Sequence, residues 1–102
     1  MNKVLNGEIL KVQAKCRFQA AENNYNAAKH LVERNDFSLT TLMGFLNGAK
    51  THLQKSIEYT NRLIAEFSDV FNKEDLKRNL QNMKDNLEEV DKIINEISEK
   101  IS

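Results

Sequence analysis

From Leu76 to Ile101 the apolar residues recur as Leu76, Leu80, Met83, Leu87, Val90, Ile94, Ile97 and Ile101, alternating steps of four and three without exception. A stripe with that period is a coiled-coil-like seam: it specifies a long helix and requires other helices to cover it. The rest of the chain must therefore supply those partners. It contains no proline and only three glycines, so little interrupts it and long helices are the default there too.

Two stretches carry stop and start signals. In Arg34-Asn35-Asp36-Phe37-Ser38, Ser38 can cap the next helix, with Phe37 and Leu42 in the staple positions. In Ser68-Asp69-Val70-Phe71-Asn72-Lys73-Glu74-Asp75, Asn72 is the cap, Asp75 lies beside the positive helix end, and Phe71 with Leu76 repeats the staple. These boundaries predict three helices over residues 3 to 34, 39 to 67 and 73 to 100. The second carries Leu39, Leu42, Leu46, Ala49, Leu53, Ile57, Thr60, Ile64 and Phe67 on one stripe, widened by Met43, Phe45 and Leu63. The first carries Leu10, Ala14, Phe18, Ala21, Tyr25, Ala28 and Val32, whose small members permit close approach. The expected fold is all-α, one antiparallel up-down-up three-helix bundle across residues 1–102 with coiled-coil-like packing, or four helices if an Asn47-Gly48 turn splits the second.

Two features exceed what one small core needs. On a helical wheel Leu5, Ile9, Val12 and Cys16 fall well over 100° from the Leu10 to Val32 stripe. Either the first helix bends near Gln13 to Gln19 and folds them inward, or they form a seam for a second subunit or a partner, because contiguous exposed apolar surface marks interaction sites. Gly44 and Gly48 form a G-x-x-x-G pair pointing toward Thr41, Thr51 and Lys55, away from the core stripe. Each costs ~1 kcal/mol against alanine in a helix interior. The expectation is either a frayed or broken helix, or a bare backbone that another helix or a flat ligand approaches, with Phe45 beside it.

Charge and composition exclude several functions. Fifteen Lys+Arg balance fifteen Asp+Glu, whereas a dedicated nucleic-acid binder carries a strong basic excess. Residues 1 to 50 stand at +3 and 51 to 102 at −3; this is read as a solvated face with intramolecular pairing, or as orienting charge in an oligomer. The N-terminal residues are too polar for a secretory signal and no apolar run approaches a membrane span, so a soluble, cytoplasmic protein is expected. The single cysteine forms no internal disulfide and has no zinc-ligand spacing around it. Thirteen asparagines with abundant Lys and Ile suggest an AT-rich genome of a low-GC bacterium or its phages and plasmids.

Chemistry is scarce. There is no Gly-rich phosphate loop, and the Glu-x-x-His pairs of a di-metal bundle are absent. No cofactor, metal or enzymatic activity is expected. His52-Leu53-Gln54-Lys55-Ser56 resembles the H-x-x-K-small motif of histidine phosphotransfer domains, helical bundles of this length. The resemblance covers five residues and implies His52 as an exposed phosphoacceptor with Lys55 beside it. It departs from the family in Gln54, where an apolar residue is expected, and in Ser56, where glycine is usual. Met43-Gly44-Phe45 is similar to the W-x-G turn of small secreted helical hairpins, but lacks the Trp and falls inside a predicted helix.

The expectation is thus a small non-enzymatic protein-interaction module of the inhibitor, immunity, chaperone or adaptor kind. It self-associates, most simply as a dimer, through Leu5, Ile9, Val12 and Cys16, with Gly44, Phe45 and Gly48 as a second contact face. Phosphotransfer through His52 and Lys55, and carriage of a small ligand between subunits near Gly44, Phe45 and Tyr25, are the alternatives.

Overall fold

The computed structural model describes residues 2–35 and 37–101, and shows three helices: α1 (Lys3–Arg34), α2 (Leu39–Phe67) and α3 (Lys73–Ile101). They pack as an antiparallel bundle measuring 49 × 19 × 18 Å, its long axis set by ~30 residues at ~1.5 Å rise.

The boundaries are made by local hydrogen bonds. Asn2 Oδ1 accepts from the Val4 amide at 2.8 Å, starting α1. Ser38 Oγ accepts from the Thr41 amide at 3.1 Å, and Asn72 Oδ1 accepts from the Glu74 and Asp75 amides at 2.9 and 3.1 Å. Each satisfies amides that an α-helix leaves without an internal partner. At the other end of α1, Asn35 adopts φ 52° and ψ 33°, and its amide closes on the Val32 carbonyl; asparagine is among the few non-glycine residues that enter this left-handed region cheaply. Asp36 lies outside the described residues.

Two expected alternatives do not occur. α2 runs unbroken through Gly44 and Gly48, and among the described residues no glycine has positive φ, so there is no fourth helix. α1 is likewise continuous from Lys3 to Arg34; it does not break between Gln13 and Gln19 to turn Leu5, Ile9, Val12 and Cys16 inward. The predicted stripes are the core except at one end of the bundle, where Val32, Leu39 and Ile101 are exposed.

α2 is the central element. It packs against both neighbours, whereas the backbones of α1 and α3 scarcely approach each other. On the α1 side, Ala14, Ala21 and Ala28 are buried at seven-residue spacing and Gly7 continues the row. With no bulk between them, α1 and α2 come close: a Cβ on Gly7 would lie 2.9 Å from both the Phe67 and Phe71 rings. On the α3 side, Leu76, Met83 and Val90 are buried, again every seventh residue. Three core clusters follow along the rod. The first joins Leu10, Leu63, Phe67 and Leu76; the second Ala21, Ala49, Leu53 and Val90; the third Ala28, Leu42 and Leu46 with Ile93 and Ile97 against them.

Because α1 and α3 occupy different flanks of α2, the buried arc of α2 is wider than its leucine stripe. Ser56 and Thr60 fall inside it, at 0% and 2% exposure. Their hydroxyls are not orphaned: Ser56 Oγ donates to the Leu53 carbonyl at 2.9 Å, and Thr60 Oγ1 to Met83 Sδ at 3.3 Å. Polar pairs brace the outside. Lys50 meets Asp91 across α2 and α3 at 2.8 Å, and Lys3 meets Asp69 at 3.0 Å.

Candidate interaction surfaces

Three faces arise from this architecture. The first is the outer side of α1. Leu5, Ile9 and Val12 are 53%, 50% and 56% exposed, and Cys16 is an exposed free thiol. Their four-three-four spacing keeps them in one row about 16 Å long, far around the helix from the alanine row that faces α2. Beyond Cys16 the row continues in polar Gln19 and Asn23, so the apolar surface is confined to the N-terminal half of α1.

The second face was not anticipated from the sequence. Separation of α1 from α3 leaves a groove between them, with α2 as its floor. Toward the C-terminal ends of α1 and α3 the groove holds about 310 Å³ and is lined by Tyr25, Ala28, Val32, Leu42, Leu46, Ile93 and Ile97, with Lys29 and Glu33 at its rim. Its middle passes Phe18, Glu22, Leu53, Asn86, Glu89 and Val90. Nearer the other end it holds about 270 Å³, with Lys11 and Lys15 on one rim and Asn79 and Asn82 on the other. The groove follows from the same small residues that bring α1 onto α2. Each buried alanine, Ala14, Ala21 and Ala28, is followed four residues later by Phe18, Tyr25 or Val32, which lies one turn along and lines the groove. That small-then-large repetition is the signal by which it could have been found.

The third face is the glycine pair, and here the structure corrects the reading of Gly48. Gly48 is half-buried, and a Cβ placed on it would lie 2.6 Å from Asn24 Nδ2. The helix that approaches its bare backbone is α1 of the same chain, which covers the flank of α2 expected to face outward. Phe45 on that flank is half-buried and packs on the cluster of Ala28, Leu42 and Leu46. Gly44 is exposed, with nothing within 4 Å of the position a Cβ would take. Tyr25 lies in the α1–α3 groove, so the structure does not gather Gly44 and Tyr25 around one cavity.

His52 is also on the flank that α1 covers. It is half-buried, and its Nδ1 lies 3.0 Å from Arg17 Nη1. A guanidinium can only donate, so Nδ1 is the acceptor and the proton sits on Nε2. Lys55 is turned to Glu58 at 3.2 Å. The arrangement implied by the phosphotransfer resemblance, an exposed imidazole beside a lysine held for the phosphoryl group, is therefore not the one present. Among the described residues no group of three or more His, Cys, Asp or Glu side chains could hold a metal ion. No described helix is long and apolar enough to cross a membrane.

The sequence matches no protein-family model, and neither a curated protein nor a solved structure matches it significantly.

Proposed function

We propose that this chain is a non-enzymatic helical interaction module that associates with itself through the outer row of α1. The observation that carries this reading is the exposure of Leu5, Ile9 and Val12, each half or more open to solvent, in one straight row on a continuous helix. Removing such a row from water is worth ~25 cal/mol per Å², and a two-fold pair is the commonest way for one surface to be covered by another copy of its own chain. The same reading includes a cytoplasmic location and a bacterial or phage source.

Sedimentation velocity at high micromolar concentration tests it. The wild-type chain is expected to sediment as a dimer, and the Ile9→Glu, Val12→Lys variant as a monomer with unchanged circular dichroism. A monomeric wild-type chain would refute the proposal.

A further inference from the structure

The outer row of α1 faces away from the residues that lie on α2: at ~100° per residue the row is about 180° around the helix from Gly7 and Ala14. A second copy approaching this row therefore meets α1 alone, with α2 and α3 of both molecules on the far sides of the contact. The row is also its own reverse. Leu5, Ile9, Val12 and Cys16 follow at steps of four, three and four, so a helix turned end for end presents the same spacing. We propose that two α1 helices pair antiparallel about the midpoint between Ile9 and Val12. Leu5 of each copy then lies opposite Cys16 of the other, and Ile9 opposite Val12.

Charge and extent select this orientation over the parallel one. Glu8 and Lys15 flank the row on one side, both exposed, and among the described residues neither is held in an ion pair. In an antiparallel pair like flanks face each other, so Glu8 of each copy meets Lys15 of the other, twice by symmetry. On the opposite flank Asn6 meets Gln13, two uncharged amides. In a parallel pair unlike flanks meet: Glu8 falls beside Gln13 and Lys15 beside Ala20, with no ion pair formed. Extent points the same way. Beyond Cys16 the same side of α1 carries exposed Gln19, Asn23, His30 and Arg34, and a parallel pair runs these alongside their own copies. The antiparallel pair overlaps only over about residues 2 to 19, where the apolar residues are, and leaves the polar half of each α1 beyond the end of the other. It also holds the two Cys16 thiols about 17 Å apart along the helix axes.

This pairing rests on the self-association proposed above, and its test separates the two. Two full-length chains are mixed, the wild type and Leu5→Cys, Cys16→Ser, and oxidised under mild conditions. Antiparallel pairing yields the disulfide heterodimer, read by mass, in preference to either symmetric product. Parallel pairing yields the two homodimers; that result, or a random mixture, overturns the orientation and leaves self-association standing. A second arm uses charge: Glu8→Lys is expected to weaken dimerisation about tenfold, and Glu8→Lys, Lys15→Glu to recover most of it. Dimerisation indifferent to Glu8→Lys, or not recovered by the second change, in chains of unchanged helicity, overturns it as well. The third arm is shape. Small-angle scattering is expected to show a dimer about 70 Å long, against 49 Å for the single bundle; a dimer no longer than one bundle overturns the antiparallel pair. If the wild-type chain is monomeric, both proposals fall together.

Discussion

The three glycines sit in three different surroundings, and substitution by alanine separates them. At Gly44 the backbone is helical and the space beyond it open, so Gly44→Ala is expected to stabilise by ~1 kcal/mol through helix propensity alone. At Gly7 the methyl meets two aromatic rings held in the core. The crowding exceeds the propensity gain, and Gly7→Ala is expected to lower stability by ~1–2 kcal/mol. Gly48→Ala needs only the end of the Asn24 side chain to move, so its effect should lie between the two; urea titrations of the three variants give the order. A second prediction concerns Asp69. The hydrogen bond from Lys3 holds its carboxyl below the usual aspartate range, helped by a backbone amide and by the nearby ammonium charge. A carboxyl with a lowered folded pKa contributes stability above its unfolded pKa, near ~4, and loses it as pH falls through the folded value. The stability difference between wild type and Asp69→Asn is therefore expected at neutral pH and should vanish on acidification below that range. The pair is mostly exposed, so the difference is small.

At the scale of the helices, caps carry the boundaries. Asn72 serves two amides at once, and Asn72→Ala is expected to cost ~1 kcal/mol, seen as a lower thermal midpoint with the same helix content. Ser38, which serves one backbone amide, should cost less. These elements were legible because their signals are local: the cap, the staple and the four-three period each need only a few neighbouring residues. Asn2 and Asn35 lie at the ends of α1 without an apolar staple to mark them, and the sequence alone did not single them out. What escaped altogether depends on where a second helix lies. Gly48 and His52 sit outside the leucine stripe of α2, and only the flank taken by α1 decides that they face Asn24 and Arg17. Likewise the outer row of α1 follows from helical period, while the groove opposite needs the tertiary distance between α1 and α3.

At the scale of the whole molecule, α2 holds the other two helices together, and disruption should spread from it unequally. α3 buries only Leu76, Met83 and Val90, and beyond Ile97 it ends in exposed residues. Hydrogen exchange is expected to be slowest in the middle of α2, around Ala49 and Leu53, and fastest in the last turns of α3. Leu46→Ala, at a position 1% exposed, is expected to cost ~2–5 kcal/mol and to speed exchange in all three helices. The evenly spaced Gly7, Ala14, Ala21 and Ala28 have a further consequence. To α2 they present nearly the same smooth surface every seven residues, a translation of about 10 Å, so sliding α1 by one period leaves most of its backbone fit intact. The contacts that do not repeat are Gly7 under the two rings, Arg17 on His52, Asn24 over Gly48 and Lys3 on Asp69. Modest individually, together they act as detents on a ratchet, rejecting the slipped alignments that the alanines would tolerate and leaving a single phase between the helices.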